Sequence, residues 1–185
     1  PELPTGDVPA VIKTIGQKVA ALIGDGDCIQ IGIGKVPAAI LGCLKDRRDL
    51  GLHGGMVTDE VANLVDIGAL NCSRKTIDTN TLICGAAMGT QRVFDWAADR
   101  TDIKYCGADY THCVPVVAQI DNFVSINSTL EVDLTGQANS ETINARQISG
   151  TGGLVDFVRG ARMANNGRSV LALSATAADS KISRI

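Results

Sequence analysis

The fold of this sequence is indicated most clearly by the stretch Cys28-Ile29-Gln30-Ile31-Gly32-Ile33-Gly34. The first four residues of this stretch form a short, mostly apolar run rich in isoleucine, which predicts a buried strand. The glycines that follow predict a tight turn, and Pro37 suits the first turn of a helix beyond it. A strand that leads through a glycine turn into a helix is a typical unit of α/β folds.

The same alternation continues on both sides of this unit. Apolar spacing predicts helices at residues 8–22, 58–67, 91–98 and 154–164, and strands at residues 50–53, 81–84, 103–106 and 170–173. Residues 123–134 look like a longer extended segment, which Thr135-Gly136 turns back into a strand at residues 143–148. We therefore expect residues 1–185 to form a single α/β domain. It has an open, mostly parallel sheet, helices on both faces and one antiparallel hairpin.

Composition excludes several classes of function. The net charge of −3 and the 3% aromatic content disfavour nucleic-acid binding, which needs basic surfaces and stacking rings. We expect no membrane span, because no apolar run is long enough. The cysteines lack CxxC spacing, which favours buried free thiols in a reducing cytosol over disulfides or zinc. They are Cys28, Cys43, Cys72, Cys84, Cys106 and Cys113.

Glycine turns are the candidate ligand loops. Both Gly32-Ile33-Gly34 and Gly150-Thr151-Gly152-Gly153 precede predicted helices, whose N-termini favour anions. Each is also compatible with a plain connecting turn. The dinucleotide fingerprint GxGxxG fails at Pro37, and the P-loop pattern fails as well. A generic dinucleotide-binding domain is nevertheless kept as an alternative.

Isolated polar residues give weaker signals. His53 leaves a predicted strand into a third glycine-rich turn, where a structural role is the simpler interpretation. His112 has no companions at metal-ligand spacing, so we expect no metal site. Glu131 and Asp133 share one face of a predicted strand, either as a functional pair or exposed to solvent.

Taken in order, the motifs resemble the acetyl-CoA hydrolase/4-hydroxybutyrate CoA-transferase family over nearly the whole chain. Members are more than twice as long, so the resemblance implies a truncated domain from the C-terminal half of a CoA-transferase. The motifs are Ile29-Gln30-Ile31-Gly32-Ile33-Gly34, Asp49-Leu50-Gly51-Leu52-His53, Ser125-Ile126-Asn127-Ser128, Glu131-Val132-Asp133-Leu134-Thr135-Gly136-Gln137, Gly152-Gly153-Leu154-Val155-Asp156-Phe157-Val158-Arg159-Gly160-Ala161 and Ile182-Ser183-Arg184-Ile185.

The resemblance implies an enzyme that acts on acyl-CoA, either by CoA transfer to a carboxylic acid or by thioester hydrolysis. In the family, a glutamate attacks the thioester and passes the acyl group and CoA through covalent intermediates. Glycine-turn amides stabilise the oxyanions that form. The resemblance also implies a cytoplasmic homo-oligomer that uses CoA esters as substrates and holds no permanent cofactor. By position, the expected CoA- or substrate-binding residues are Gly32, Ile33, Gly34, His53, Met56, Gly150, Gly152 and Gly153.

One position departs from the family. The nucleophile lies in a His-Ser/Thr-Glu-Met run, which here is His53-Gly54-Gly55-Met56, so Gly55 replaces the glutamate. Three interpretations stay open. The protein is an enzyme whose water is activated by Glu131 or Glu60, which favours hydrolysis over transfer. Alternatively it is a non-catalytic CoA-ester-binding or structural homologue, or the residue was altered by engineering or sequence error.

Overall fold

A computed structural model describes residues 8–177 and 181–185. Its helices are α1 (Ala10–Ala20), α2 (Lys35–Gly42), α3 (Asp59–Asp66), α4 (Gln91–Ala98), α5 (Ala108–Thr111), α6 (Val114–Val117) and α7 (Leu154–Met163). Its strands are β1 (Cys28–Ile31), β2 (Gly51–Leu52), β3 (Met56–Val57), β4 (Leu82–Cys84), β5 (Ala86–Ala87), β6 (Ile103–Tyr105), β7 (Phe123–Ser128), β8 (Glu131–Val132), β9 (Ala138–Asn139), β10 (Thr142–Ile143), β11 (Arg146–Gln147), β12 (Arg168–Ala172), β13 (Thr176–Ala177) and β14 (Ile182–Ser183).

The central sheet is parallel and has the strand order β12-β7-β1-β2. A parallel bridge between His53 and Ile83 continues it to the parallel pair β4-β6. On one side of β1 the chain adds β2, β4 and β6 in turn. It then returns to the other side of β1, where it adds β7 and β12. Parallel α/β sheets bind ligands where the strand order reverses, outside the carboxyl ends of the strands. In this chain that point lies between β1 and β7.

Helices cover both faces of this sheet. On one face, α1 and α2 pack with Ile29 and Val124 in a large aliphatic core. On the other face, α6 and α7 pack with Cys28 and Phe123 in a smaller core. Neighbouring strand residues belong to different cores because successive side chains point to opposite faces of a sheet. The predicted α/β class with a mostly parallel sheet is confirmed.

The predicted hairpin is placed differently. Residues 123–128 form β7 inside the parallel sheet, while the turn at Thr135-Gly136 joins the short antiparallel strands β8 and β9. The predicted returning strand at residues 143–148 belongs instead to a separate antiparallel pair, β10-β11, and β13-β14 form another. The short helix α5 and the parallel pair β3-β5 were not predicted either. The prediction of a single hairpin between residues 123–134 and 143–148 is therefore wrong, because these two segments do not pair with each other.

The cysteines follow the expected pattern in part. All six are free, and Cys28, Cys72 and Cys84 are buried, whereas Cys43 is exposed. Burial raises the pKa of the Cys28 and Cys72 thiols, and it raises that of Cys84 to about 12. These three thiols are consequently protonated and act as small apolar side chains.

No helix in the described part of the chain is long and apolar enough to cross a membrane.

Candidate functional site

A cleft of about 380 Å³ opens at the carboxyl edge of the sheet, above the junction of β1 and β7. Its walls come from the ends of these two strands, from the turn after β2 and from the start of α7. It is lined by Gln30, Ile31, Gly32, Ile33, Gly55, Met56, His112, Asn127, Thr151, Gly152, Gly153, Leu154 and Phe157. A second pocket of about 620 Å³ adjoins it and shares His112, Gly152 and Gly153. An elongated ligand could therefore extend from one to the other.

The structure brings most of the predicted site residues together. Those that line the cleft are Gly32, Ile33, Gly55, Met56, Gly152 and Gly153. Gly34 lies beside it as the N-cap of α2. His53 is fully buried behind the cleft, and Gly150 is exposed and does not line it.

The two candidate glutamates lie elsewhere. Glu131 is exposed, accepts a hydrogen bond from Asn139 Nδ2 at 2.6 Å, and lines a separate groove with Arg184. Glu60 accepts a hydrogen bond from Thr58 Oγ1 at 3.0 Å on α3. Because neither carboxylate lines the cleft, the geometry gives no support to the prediction that one of them activates water there.

A buried polar network forms the floor of the cleft. The side-chain amides of Gln30 and Asn127 pair reciprocally, with nitrogen–oxygen distances of 3.2 and 3.0 Å. Ser125 Oγ donates to Gln30 Oε1 at 2.9 Å and accepts from Asn127 Nδ2 at 3.0 Å. An amide nitrogen has two hydrogens, so Gln30 Nε2 keeps one donor beyond its bond to Asn127. That donor is available to a carbonyl oxygen or oxyanion in the cleft.

The turn before α7 brings backbone close to the cleft. Gly152 has φ of +56°, a backbone conformation that residues with a side chain rarely adopt, and Gly153 is the N-cap of α7. A Cβ at residue 153 would overlap the ring of His112, so only glycine allows this approach. The first amides of α7 have no acceptor within the helix, and they favour negative charge at this end.

Sequence reasoning missed several polar residues of the cleft, namely His112, Gln30 and Asn127. The ring of His112 packs on Phe157 with centroids 4.5 Å apart, and its Nδ1 lies 2.7 Å from Thr111 Oγ1. A single histidine after a four-residue helix has no periodic signal that would point to a cleft. Gln30 and Asn127 had such a signal, since both alternate along strands towards one face. Within the described residues no three His, Cys, Asp or Glu side chains are grouped to hold a metal.

His53 supports the cleft from below. Its Nε2 lies 3.2 Å from the carbonyl oxygen of Thr111, and its ring packs edge-on to Phe123. Its Nδ1 is buried without a hydrogen-bond partner in the described residues. Burial, reinforced by the Lys75 ammonium nearby, lowers the pKa of His53 to about 4. The imidazole is therefore neutral at physiological pH, with Nε2 carrying the proton that it donates to Thr111.

We expect this buried imidazole to make the fold acid-sensitive. Its pKa is about 4 when folded and 6.5 as an ordinary histidine, so its contribution is complete above pH 6.5 and declines as pH falls towards 4. Lowering the pH from 7.5 to 5.0 should reduce the free energy of unfolding by about 2 kcal/mol through this histidine. Urea denaturation of the full-length protein and of His53→Gln at both pH values measures this difference. A variant with the same loss as the native protein would contradict it.

The chain is thus a doubly wound α/β domain with a cleft at its switch point. Residues 89–185 match the model of the acetyl-CoA hydrolase/transferase C-terminal domain. The chain is 41% identical over 180 residues to the 4-hydroxybutyrate coenzyme A transferase of Clostridium kluyveri, covering 97% of this chain and 41% of that protein. It is 38% identical over 178 residues to the succinyl-CoA:cyclohexane-1-carboxylate CoA transferase of Geobacter metallireducens, covering 96% and 41%.

A solved structure has the same fold. The crystal structure of RipA from Yersinia pestis superposes with a TM-score of 0.94 at 38% identity, over 100% of this chain and 42% of RipA. The chain belongs to the acetyl-CoA hydrolase/transferase family, which confirms the resemblance seen in its motifs. It spans about two fifths of the length of these relatives.

Proposed function

We propose that the protein binds acyl-CoA thioesters in the cleft and hydrolyses them to CoA and a carboxylic acid. The observation that carries this proposal is the position of Gly55. It lines the cleft together with Gly152 and Gly153. The motif resemblance implies that the family has its nucleophilic glutamate at this position. Hydrolysis needs only a water molecule at that place, whereas covalent transfer needs a carboxylate.

The polarity of the cleft supports thioester chemistry. Attack on a thioester carbonyl places negative charge on its oxygen, which preorganised donors stabilise. The free hydrogen of Gln30 Nε2 and the unpaired amides at the start of α7 are donors of this kind. The apolar side chains of Ile33, Met56 and Phe157 suit the acyl group.

The geometry favours hydrolysis over the transfer named for the relatives. A CoA-transferase must hold the acyl group on the enzyme while the acceptor enters. The segment at the nucleophile position is His53-Gly54-Gly55-Met56. Met56 provides the side chain of this segment that lines the cleft. Met carries a thioether, which forms no anhydride. A transfer through this segment therefore has no carboxylate to use.

A second candidate function is acyl-CoA binding without chemistry. The lack of a carboxylate among the side chains that line the cleft is the observation that favours it. Such a protein would shield a thioester from added thiols or water and would not consume it. The alternative of a generic dinucleotide-binding domain gains no such support, since the glycine turns do not match the required spacing.

The test is the release of free CoA thiol from acetyl-CoA by the full-length protein, with and without an acceptor carboxylate. We expect thiol release that does not depend on the acceptor, and no new acyl-CoA. Saturable binding without thiol release would favour the second function. Acceptor-dependent formation of a new acyl-CoA would contradict the preference for hydrolysis. Tighter binding of NAD than of acetyl-CoA would overturn both. The homo-oligomer and the cytoplasmic location stay predictions.

A further inference from the structure

His112 presents one edge of its imidazole to the space next to Gly55. A Cβ built on Gly55 would lie 3.7 Å from His112 Cε1 and 3.9 Å from Nε2. On the other side, the same ring edge lies directly against Gly153. Nε2 therefore sits between the position of the missing nucleophile and the glycine turn at the start of α7. The described part of the chain provides it with no hydrogen-bond partner.

The neighbouring hydroxyl determines which nitrogen of His112 is basic. Thr111 Oγ1 donates to the carbonyl oxygen of Gly107 at 3.2 Å and lies 2.7 Å from His112 Nδ1. A hydroxyl has one proton, so both contacts are hydrogen bonds only when Nδ1–H donates to Oγ1. In that tautomer Nε2 has a free lone pair facing the cleft. Packing on Phe157 holds the ring in this orientation.

The cleft offers no competing base. Apart from His112, the described side chains that line it are amides, hydroxyls, apolar groups and a thioether. Asp156 is the acidic residue that lines the adjoining pocket, and it has no hydrogen bond to His112 in the described residues. His112 is thus the titratable group placed to take a proton from a water molecule beside Gly55.

We propose that His112 is a catalytic residue, the general base of thioester hydrolysis, with Thr111 as its positioning residue. This inference rests on the proposed hydrolase function and assigns its missing proton acceptor. Nε2 removes a proton from water as the water oxygen bonds to the thioester carbonyl carbon. The carbon–sulfur bond of the tetrahedral intermediate then breaks, and Nε2 returns the proton to the leaving sulfur. The products are a carboxylic acid and CoA thiol.

The first test replaces His112 in the full-length protein and follows thiol release from acetyl-CoA. We expect His112→Ala to lower kcat by about 100-fold or more, the usual size of a general-base effect, with KM changed less than about threefold. Added imidazole should restore part of the rate in His112→Ala and leave the native rate unchanged. His112→Gln keeps most of the side-chain volume and should be as slow, which separates lost basicity from lost packing. Tyr110→Phe, two residues before His112 and outside the cleft, is the matched control.

The second test changes the orienting hydroxyl. Thr111→Val preserves shape but removes the partner of Nδ1, and we expect kcat to fall roughly tenfold, as for other groups that orient a functional histidine. Thr111→Ser keeps the hydroxyl and should recover most of the rate that Thr111→Val loses. Full hydrolysis by both His112 variants would overturn the assignment, as would a loss confined to Asp156→Asn. A native protein that binds acetyl-CoA and releases no thiol would instead overturn the hydrolase function itself, and with it the role of His112.

Discussion

Replacing Gly55 by glutamate is expected to give the full-length protein CoA-transferase activity at least about 1,000-fold above the native level, because loss of an essential nucleophile usually costs several orders of magnitude. The position is prepared for a side chain. Gly55 lies outside the left-handed region, and a Cβ there meets nothing closer than 3.7 Å. Its carbonyl oxygen accepts hydrogen bonds from the amides of Gly85 and Ala86, at 3.0 and 3.1 Å, which fix the backbone.

The measurement is the formation of a new acyl-CoA from acetyl-CoA and an added carboxylate, separated by chromatography. Gly55→Gln is the matched control, since it has the same shape without a nucleophilic carboxylate and should show no transfer. The double variant Gly55→Glu, His112→Ala should still transfer, because the glutamate attacks without a base. No transfer by folded Gly55→Glu would mean that the cleft has lost more than one side chain of the family chemistry.

Replacing Phe123 by alanine is expected to lower the free energy of unfolding by about 3–5 kcal/mol. Phe123 is fully buried on β7, in the core between the sheet and the helices α6 and α7. Its ring packs on His53 and on Phe157, each with centroids 6.4 Å apart. Phe157 in turn packs on His112, so a cavity at residue 123 also removes support beneath the cleft. Denaturant unfolding of the full-length protein measures the loss.

Phe123→Leu is the matched control for this cavity. It keeps most of the apolar volume, and we expect a loss of less than about 1.5 kcal/mol. If Phe123→Ala costs no more than Phe123→Leu, the core must collapse around the missing ring, and the support for Phe157 must come from elsewhere. Hydrolysis of acetyl-CoA by the alanine variant should also fall, since the orientation of His112 depends on Phe157.

The sequence was informative where local chemistry determines structure. The mostly apolar run at β1 and the glycines after it predicted a strand, a turn and a helix, and the structure has all three. β7 was harder to place. Its alternation of Val124, Ser125, Ile126 and Asn127 is typical of a half-exposed hairpin strand. In the fold, the polar side of this alternation faces the cleft rather than solvent, and one strand cannot reveal that.

The candidate site, like the fold, could be predicted only in part. Glycines next to strand ends could be placed at one sheet edge from topology alone, and Gly32, Gly55 and Gly153 do line one cleft. The proximity of His112 to Gly55 depends on how the end of α5 packs against His53, which no local pattern encodes. Glu131 is the opposite case, because a carboxylate within a recognised motif was given a possible role but lies in a separate groove.

The switch point also has a consequence for the order of folding. The floor of the cleft joins Gln30 to Ser125 and Asn127, which are 95 and 97 residues away along the chain. Long-range pairing of parallel strands must overcome a large loop-closure entropy, and it is slow compared with local helix formation. The elements from β1 to β6 can assemble outward through successive neighbours, but the cleft needs β7 inserted beside β1. The cleft is therefore complete only after the most distant contacts have formed, and a ligand that binds there stabilises them in particular.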